Sequence, residues 1–176
     1  MPPADALRRK LTVRAHGRTL VLLKRAEESG EHVVQKAVLW ARYLPAHPEL
    51  RVEQRLPFAS RYRPDLYALD ATRQRAVFWG ECGVTSRDKL RELLRRHPAT
   101  HFAFSRWGGD DRAFAALIDA SLVGVRRSAP VELIGVPPEA FDWVGEGREL
   151  LVPDGALAVR RWAPPDGRAG PRRSRA

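Results

Sequence analysis

The alternation of hydrophobic and polar residues predicts that the chain opens with two strands and a long helix. Residues 11–25 form two short runs of β-branched and aliphatic side chains with Gly17 between them, which is the pattern of an antiparallel hairpin. From Glu28 to the prolines at 45 and 48, apolar residues recur at helical spacing. The positions that share this face are Val33, Ala37, Trp40 or Ala41, and Leu44.

Three strand-like segments follow the first helix and lead into a second one. Leu50 to Pro57, Pro64 to Asp70 and Arg75 to Gly83 have the length and the aromatic content of strands. Thr85 and Asp88 have the spacing of a capping box, which predicts that the second helix begins there and ends at Pro98. One face of this helix is basic, and its apolar face is formed by Leu90, Leu93, Leu94 and His97.

The rest of the pattern alternates strands and helices and therefore indicates an α/β protein. Thr100 to Trp107 is a strand, and a third helix is expected to begin at Asp110. Val131 to Val136 is a further strand, and Pro137-Pro138-Glu139 predicts a short helix. A terminal pair of strands is expected between Glu149 and Trp162.

Length and composition predict one folded domain over residues 1–162 and a disordered basic tail over residues 163–176. The chain has 176 residues, of which 44% are hydrophobic, enough for a single core. The tail is rich in Pro, Gly and Arg, which cannot bury enough apolar surface to become ordered. Neither a membrane span nor a secretory signal is visible, so we expect a cytoplasmic protein. The single cysteine, Cys82, excludes an internal disulfide and a cysteine-based zinc site.

The surplus of basic residues suggests nucleic acid as a partner. The formal net charge is +10, and Lys and Arg are the side chains that neutralise phosphate. All but four of the 31 basic residues are arginine, however, and this bias also follows from a GC-rich genome. Charge alone therefore leaves both explanations open.

The second and third core strands carry two acidic residues that antiparallel pairing would bring together. A turn centred near residues 72 and 73 predicts the pairs Asp65 with Glu81, Tyr67 with Trp79, and Leu69 with Val77. Opposed like charges repel, so these carboxylates would need a cation, and carboxylate oxygens suit Mg²⁺ or Mn²⁺. In the alternative interpretation, Asp65 only begins a strand and Glu81 is a partly solvated residue at a strand end.

Several motifs together resemble the YaeQ family within the PD-(D/E)XK nuclease superfamily. They are Glu28-x-x-Glu31, Trp40-Ala41-Arg42-Tyr43, Pro64-Asp65, Phe78-Trp79-Gly80-Glu81-Cys82-Gly83 and the basic second helix. The resemblance implies a nuclease-like mixed central sheet flanked by helices, with an N-terminal hairpin and C-terminal strands. It also implies that Asp65 and Glu81 hold a metal, with Glu31 completing the cluster. Glu31 has the alternative role of an exposed acid that favours the helix N-terminus.

The chain departs from the superfamily motif at Gly83, where a catalytic lysine is expected. Lys89 on the second helix is the first candidate to replace it, and Lys36 on the first helix is the second. Either could equally be a solvated surface lysine. We therefore expect a Mg²⁺-dependent nuclease with Asp65, Glu81 and Lys89 as catalytic residues. The alternative is a nuclease-like protein without turnover that binds nucleic acid or a protein partner.

Overall fold

The computed structural model describes residues 10–53, 55–56 and 61–164. Within these ranges the strands are β1 (Lys10–Ala15), β2 (Arg18–Leu23), β3 (Arg51–Val52), β4 (Leu66–Leu69), β5 (Ala76–Cys82), β6 (His101–Trp107), β7 (Val131–Val136) and β8 (Ala158–Trp162). The helices are α1 (Gly30–Tyr43), α2 (Arg87–Arg96) and α3 (Arg112–Leu122), with short 3-10 helices at Pro138–Asp142 and Glu146–Arg148. The predicted short helix after Pro137 is therefore confirmed.

A six-stranded mixed sheet forms the centre of the molecule. Its order is β3-β4-β5-β6-β7-β8, in which β5, β6 and β7 run parallel and the outer pairs are antiparallel. The hairpin β1-β2 forms a separate antiparallel pair whose turn residues His16 and Gly17 both have positive φ. A two-residue turn of this kind matches the twist of its strands. The predicted α/β class, the mixed sheet and the N-terminal hairpin are confirmed.

The two faces of the sheet are covered by different helices. Alternate side chains along β5 point to opposite faces, so Phe78 belongs to the apolar cluster under α1 and the hairpin. Its neighbour Trp79 belongs to the cluster formed with α2 and α3. Both side chains are fully buried. The sheet is thus flanked by helices, as the sequence predicted.

Capping side chains set the first residue of each helix. Ser29 accepts a hydrogen bond from the backbone N of His32 at the start of α1. The predicted capping box at Thr85 is wrong, because Ser86 is the cap of α2 and accepts from the backbone N of Lys89 at 3.3 Å. The third helix also begins later than predicted, after Asp111, whose carboxylate accepts from Phe114 N at 2.8 Å.

Pairing between β4 and β5 follows the predicted register only in part. Tyr67 lies opposite Trp79 as predicted, but Leu69 lies opposite Ala76 and not Val77, because a bulge follows Ala68. The turn after β4 explains the shift. The Asp70 carboxylate accepts from the backbone N of residues 74 and 75 at 3.0 and 3.3 Å, which closes the turn without the predicted symmetry.

Two predicted strand segments are shorter in the structure. Of Leu50 to Pro57, only Arg51–Val52 is a strand among the described residues. Between Glu149 and Trp162 only β8 is a strand, while Glu149 and Leu150 form isolated bridges. The predicted tail from residue 165 onward lies outside the described ranges. None of the described helices has the length and hydrophobicity needed to cross a membrane.

Candidate functional site

Asp65 and Glu81 lie at the end of the β4-β5 pair. The backbone N of Asp65 donates to Gly80 O at 3.1 Å, which continues the ladder one residue before β4 begins. The Oδ2 atom of Asp65 accepts from the backbone N of Cys82 at 2.8 Å. Burial raises the pKa of Glu81, and the nearby negative charge of Asp65 adds to this effect. The structure therefore brings the two predicted acids within electrostatic range of each other.

The side chain of Glu81 is buried on the face of the sheet that α2 covers. Its Oε1 atom accepts from Trp79 Nε1 at 2.7 Å, and its Oε2 atom accepts from Lys89 Nζ at 2.5 Å. Lys89 thus reaches back from the first turn of α2 to the end of β5, and its side chain is only 20% exposed. It is not a solvated surface lysine.

Asp65 contacts α1 through its other oxygen. Oδ1 lies 3.2 Å from His32 Nε2 and 3.7 Å from Lys36 Nζ. Burial alone would raise the pKa of Asp65, but the hydrogen bonds with His32 and the Cys82 N–H, together with the charge of Lys36, hold that pKa below its usual value. Asp65 is therefore a stabilised carboxylate at neutral pH.

Lys36 is a buried cation among carboxylates. Its side chain is 3% exposed, and its ammonium donates to Glu28 and Glu53. Burial alone would lower the pKa of Lys36, yet these two hydrogen bonds and the charge of Asp65 raise it. The interpretation of Lys36 as a surface lysine is wrong. Glu53, which follows β3, was missed from the sequence because no periodic pattern links residues 36 and 53.

Glu31 lines the same cavity as Asp65 but makes no hydrogen bond or ion pair with Asp65 or Glu81. It lies in the first turn of α1, where a hydrogen bond with Ser29 lowers its pKa. These are the interactions of an acid at a helix N-terminus, which is the alternative that the sequence left open.

The predicted metal ligands do not form a ready-made metal site. Carboxylates are the right donors for Mg²⁺ or Mn²⁺. In the described part of the chain, however, no three His, Cys, Asp or Glu side chains are arranged to hold a metal ion. Ammonium groups take the place of an ion instead, with Lys36 beside Asp65 and Lys89 bound to Glu81. The arrangement as it stands therefore does not fit a resident metal.

A cavity of about 570 Å³ opens beside Asp65. It lies where β5 and β6 end and α1 begins, a common position for ligands in α/β sheets. Its wall carries both signs of charge, and the residues that matter below are His32, Lys36, Arg63, Asp65, Gly83 and Arg106. We call this cavity the sheet-end pocket.

Gly83, where the motif lysine is absent, has a backbone conformation that favours glycine. Its φ is +77°, and a Cβ atom there would lie 3.2 Å from His32 Nδ1. Arg106 donates a 2.9 Å hydrogen bond to the Gly83 carbonyl and a 2.8 Å hydrogen bond to Asp111.

His32 was not predicted from the sequence as a site residue. The available signal was its spacing of four from Glu28 near a helix start, and the structure places those side chains 3.3 Å apart.

Basic side chains are exposed on α2 and in the segment before β4. The exposed face of α2 carries Arg87, Arg91 and Arg95, which are spaced four residues apart. Arg61 and Arg63 are also exposed, and Arg61 contacts Glu92 on α2 at 3.4 Å. The basic face predicted for the second helix is confirmed.

Comparison with solved structures identifies the fold. The YaeQ protein from Xanthomonas axonopodis pv. citri is 19% identical, with 72% of each chain covered and a TM-score of 0.49. The YaeQ protein from Pseudomonas syringae is 15% identical, with 85% of this chain and 84% of that chain covered and a TM-score of 0.55. The fold is YaeQ-like. Scans against protein-family models and curated proteins find no match. At these identities the YaeQ-like fold alone is shared, and it carries no activity with it.

Proposed function

We propose that this YaeQ-like protein hydrolyses phosphodiester bonds of nucleic acid in the sheet-end pocket. The observation that carries the proposal is the contact of Asp65 with His32 and its closeness to Lys36 in the wall of a cavity of about 570 Å³. Such a wall supplies a carboxylate, an imidazole and a cation to one reacting group. The proposal includes the assignment of the chain to the PD-(D/E)XK superfamily, which the acids at the ends of paired β4 and β5 support.

Cationic groups around the pocket are suited to a phosphate substrate. Arg63 and Arg106 line the pocket together with several carboxylates, and Arg87, Arg91 and Arg95 form a separate exposed basic row on α2. Phosphoryl transfer needs little covalent chemistry from a protein and depends on positioning and on stabilisation of negative charge. Arginine gives bidentate contacts to phosphate oxygens, which suits both purposes.

Cleavage assays test the proposal directly. Labelled single-stranded and duplex DNA and RNA are incubated with the wild type and with Asp65→Asn, in chelator alone and with Mg²⁺ or Mn²⁺. We expect cleavage by the wild type and its loss in Asp65→Asn, because the amide removes the charge at nearly constant volume. Asp154→Asn, at an exposed position away from the pocket, is the matched control and should cleave normally. Absence of cleavage by the wild type in every condition would reject the proposal.

The same assay tests the metal dependence predicted from the sequence. Equal cleavage in chelator and in Mg²⁺ would contradict that dependence while leaving hydrolysis itself intact. Isothermal titration of the nucleic-acid-free protein with Mn²⁺ gives an independent measure of metal binding.

A second candidate is binding of nucleic acid without turnover. It is favoured by Gly83 in the lysine position, and by the engagement of Lys36 and Lys89 in ion pairs. In that case the affinity for oligonucleotides should fall steeply with salt, should not depend on Mg²⁺, and should be unchanged in Asp65→Asn.

A further inference from the structure

We propose that His32 replaces the absent motif lysine by binding, through Nδ1, the water that attacks phosphorus. The inference rests on the proposed hydrolysis and names the group that activates its nucleophile. It concerns a residue that neither the motif nor the resemblance indicated.

The first observation is the location of the imidazole. A Cβ atom built at Gly83 would lie 3.2 Å from His32 Nδ1. The imidazole of His32 therefore lies in close contact with the place where the side chain of a motif lysine would begin. The His32 imidazole, on α1, thus lies at the end of β5, where the usual motif would have a lysine side chain at position 83.

The second observation is the orientation of the ring. Nε2 lies 3.2 Å from Asp65 Oδ1 and 3.3 Å from Glu28 Oε1, and both of these atoms are acceptors. Nε2 therefore carries a hydrogen, and Nδ1 is the ring nitrogen whose lone pair can accept a proton. A carboxylate that fixes the tautomer of a histidine in this way also makes its other nitrogen a better acceptor.

The third observation is that Nδ1 lacks a partner among the described residues. Among the residues that the structure describes, Nδ1 of His32 has no hydrogen-bond partner, and the side chain is 26% exposed in the wall of the sheet-end pocket. The two lysines cannot take this role. Lys36 and Lys89 donate to carboxylates, and a charged ammonium has no lone pair to accept a proton.

The step consumes only water. The water oxygen forms a bond to phosphorus while one of its protons passes to Nδ1 of His32. The bond between phosphorus and the leaving sugar oxygen breaks, and its electron pair stays on that oxygen, which takes a proton from solvent. His32 then returns its proton to solvent, so that one water and one phosphodiester give a phosphomonoester and an alcohol. Lys36, Arg63 and Arg106 supply positive charge close to the reacting phosphate.

Two substitutions separate this role from a structural one. His32→Gln keeps an amide N–H near the position of Nε2, so the contact with Asp65 survives, but no acceptor remains at the position of Nδ1. We expect kcat to fall about 100-fold or more at nearly unchanged KM, since general-base groups contribute roughly 10²–10⁴-fold. His32→Gly removes the ring, and free imidazole added to this variant should restore part of the rate.

Controls make the outcome specific. His16→Gln changes a histidine that lines a different cavity and should keep wild-type kinetics. Free imidazole should not restore Asp65→Asn. Thermal unfolding of each variant identifies any loss of folding.

Distinct results overturn the inference and the proposed function. A wild-type kcat in His32→Gln, or a His32→Gly variant that imidazole does not restore, overturns the role of His32 while the cleaving wild type still supports hydrolysis. A wild type that cleaves nothing overturns the proposed function and this inference with it.

Discussion

Neutralising Glu132 should destabilise the protein by about 3 kcal/mol at neutral pH. Glu132 lies on β7, its side chain is 5% exposed, and it accepts from Tyr43 Oη at 2.5 Å and from His101 Nε2 at 2.8 Å. Arg161 Nη1 on β8 donates to its other oxygen at 3.0 Å. The carboxylate therefore joins α1 to three strands, and Glu132→Gln keeps its size while removing its charge.

The magnitude follows from the pKa of this carboxyl group. Burial alone would raise it, but the hydrogen bonds from His101 and Tyr43 and the charges of His101 and Arg161 lower the pKa from 4.5 to about 2. One pKa unit corresponds to about 1.4 kcal/mol, so the shift is worth about 3 kcal/mol. Because the folded-state pKa is the lower one, this stability is present above pH 4.5 and is lost as the pH falls towards 2.

Urea denaturation followed by tryptophan fluorescence measures the effect. The free energy of unfolding of wild type and Glu132→Gln should differ by about 3 kcal/mol at pH 7 and by about 2 kcal/mol at pH 3.5, and the two curves should converge near pH 2. Glu149→Gln is the control, because its ion pair with Arg14 is about half exposed and should contribute under about 1 kcal/mol. A difference for Glu132→Gln that is below about 1 kcal/mol at pH 7, or that does not change with pH, would contradict this prediction.

Substitutions of Gly83, Lys36 and Arg91 should each have a measurable effect. Gly83→Ala should lower the free energy of unfolding by roughly 1–2 kcal/mol, because φ is +77° and the new Cβ meets His32; an unchanged thermal midpoint would contradict this. Lys36→Met should lower the free energy of unfolding in urea by about 3 kcal/mol, because it leaves the largely buried Glu28 and Glu53 without their cation. A loss under about 1 kcal/mol would mean that water solvates these carboxylates in place of the lysine. Arg91→Gln should reduce the slope of log affinity for an oligonucleotide against log salt by about 1, and an unchanged slope would remove α2 from the interface.

Local patterns were sufficient to predict most of the fold. The hairpin was predictable because Gly17 separates two runs of β-branched and aliphatic residues, and the helices because apolar residues recur at helical spacing. The bulge after Ala68 was not predictable in this way. It depends on a side chain, Asp70, that closes the turn by bonding the backbone of residues 74 and 75.

The candidate site was predicted less completely than the fold. The predicted antiparallel register of β4 and β5 placed Asp65 and Glu81 at the same end of the strand pair. The position of Lys89 near the start of α2 predicted that its side chain reaches towards the end of β5. The partners of Lys36 could not be found, because Glu53 joins it only when β3 pairs with β4. His32 lies beside Gly83 because α1 packs over the end of β5, a long-range contact that local sequence patterns do not show.

The contact between residues 14 and 149–150 has a consequence for synthesis of the chain on the ribosome. The backbone N of Leu150 donates to Arg14 O at 2.8 Å, and both Leu150 and Val13 belong to the apolar cluster under α1. The hairpin is synthesised well before residues 149 and 150, which complete this contact. Helix α1 can cover the hairpin soon after both have emerged, but the part of β1 that bonds Leu150 stays open to chaperones until that residue has been translated.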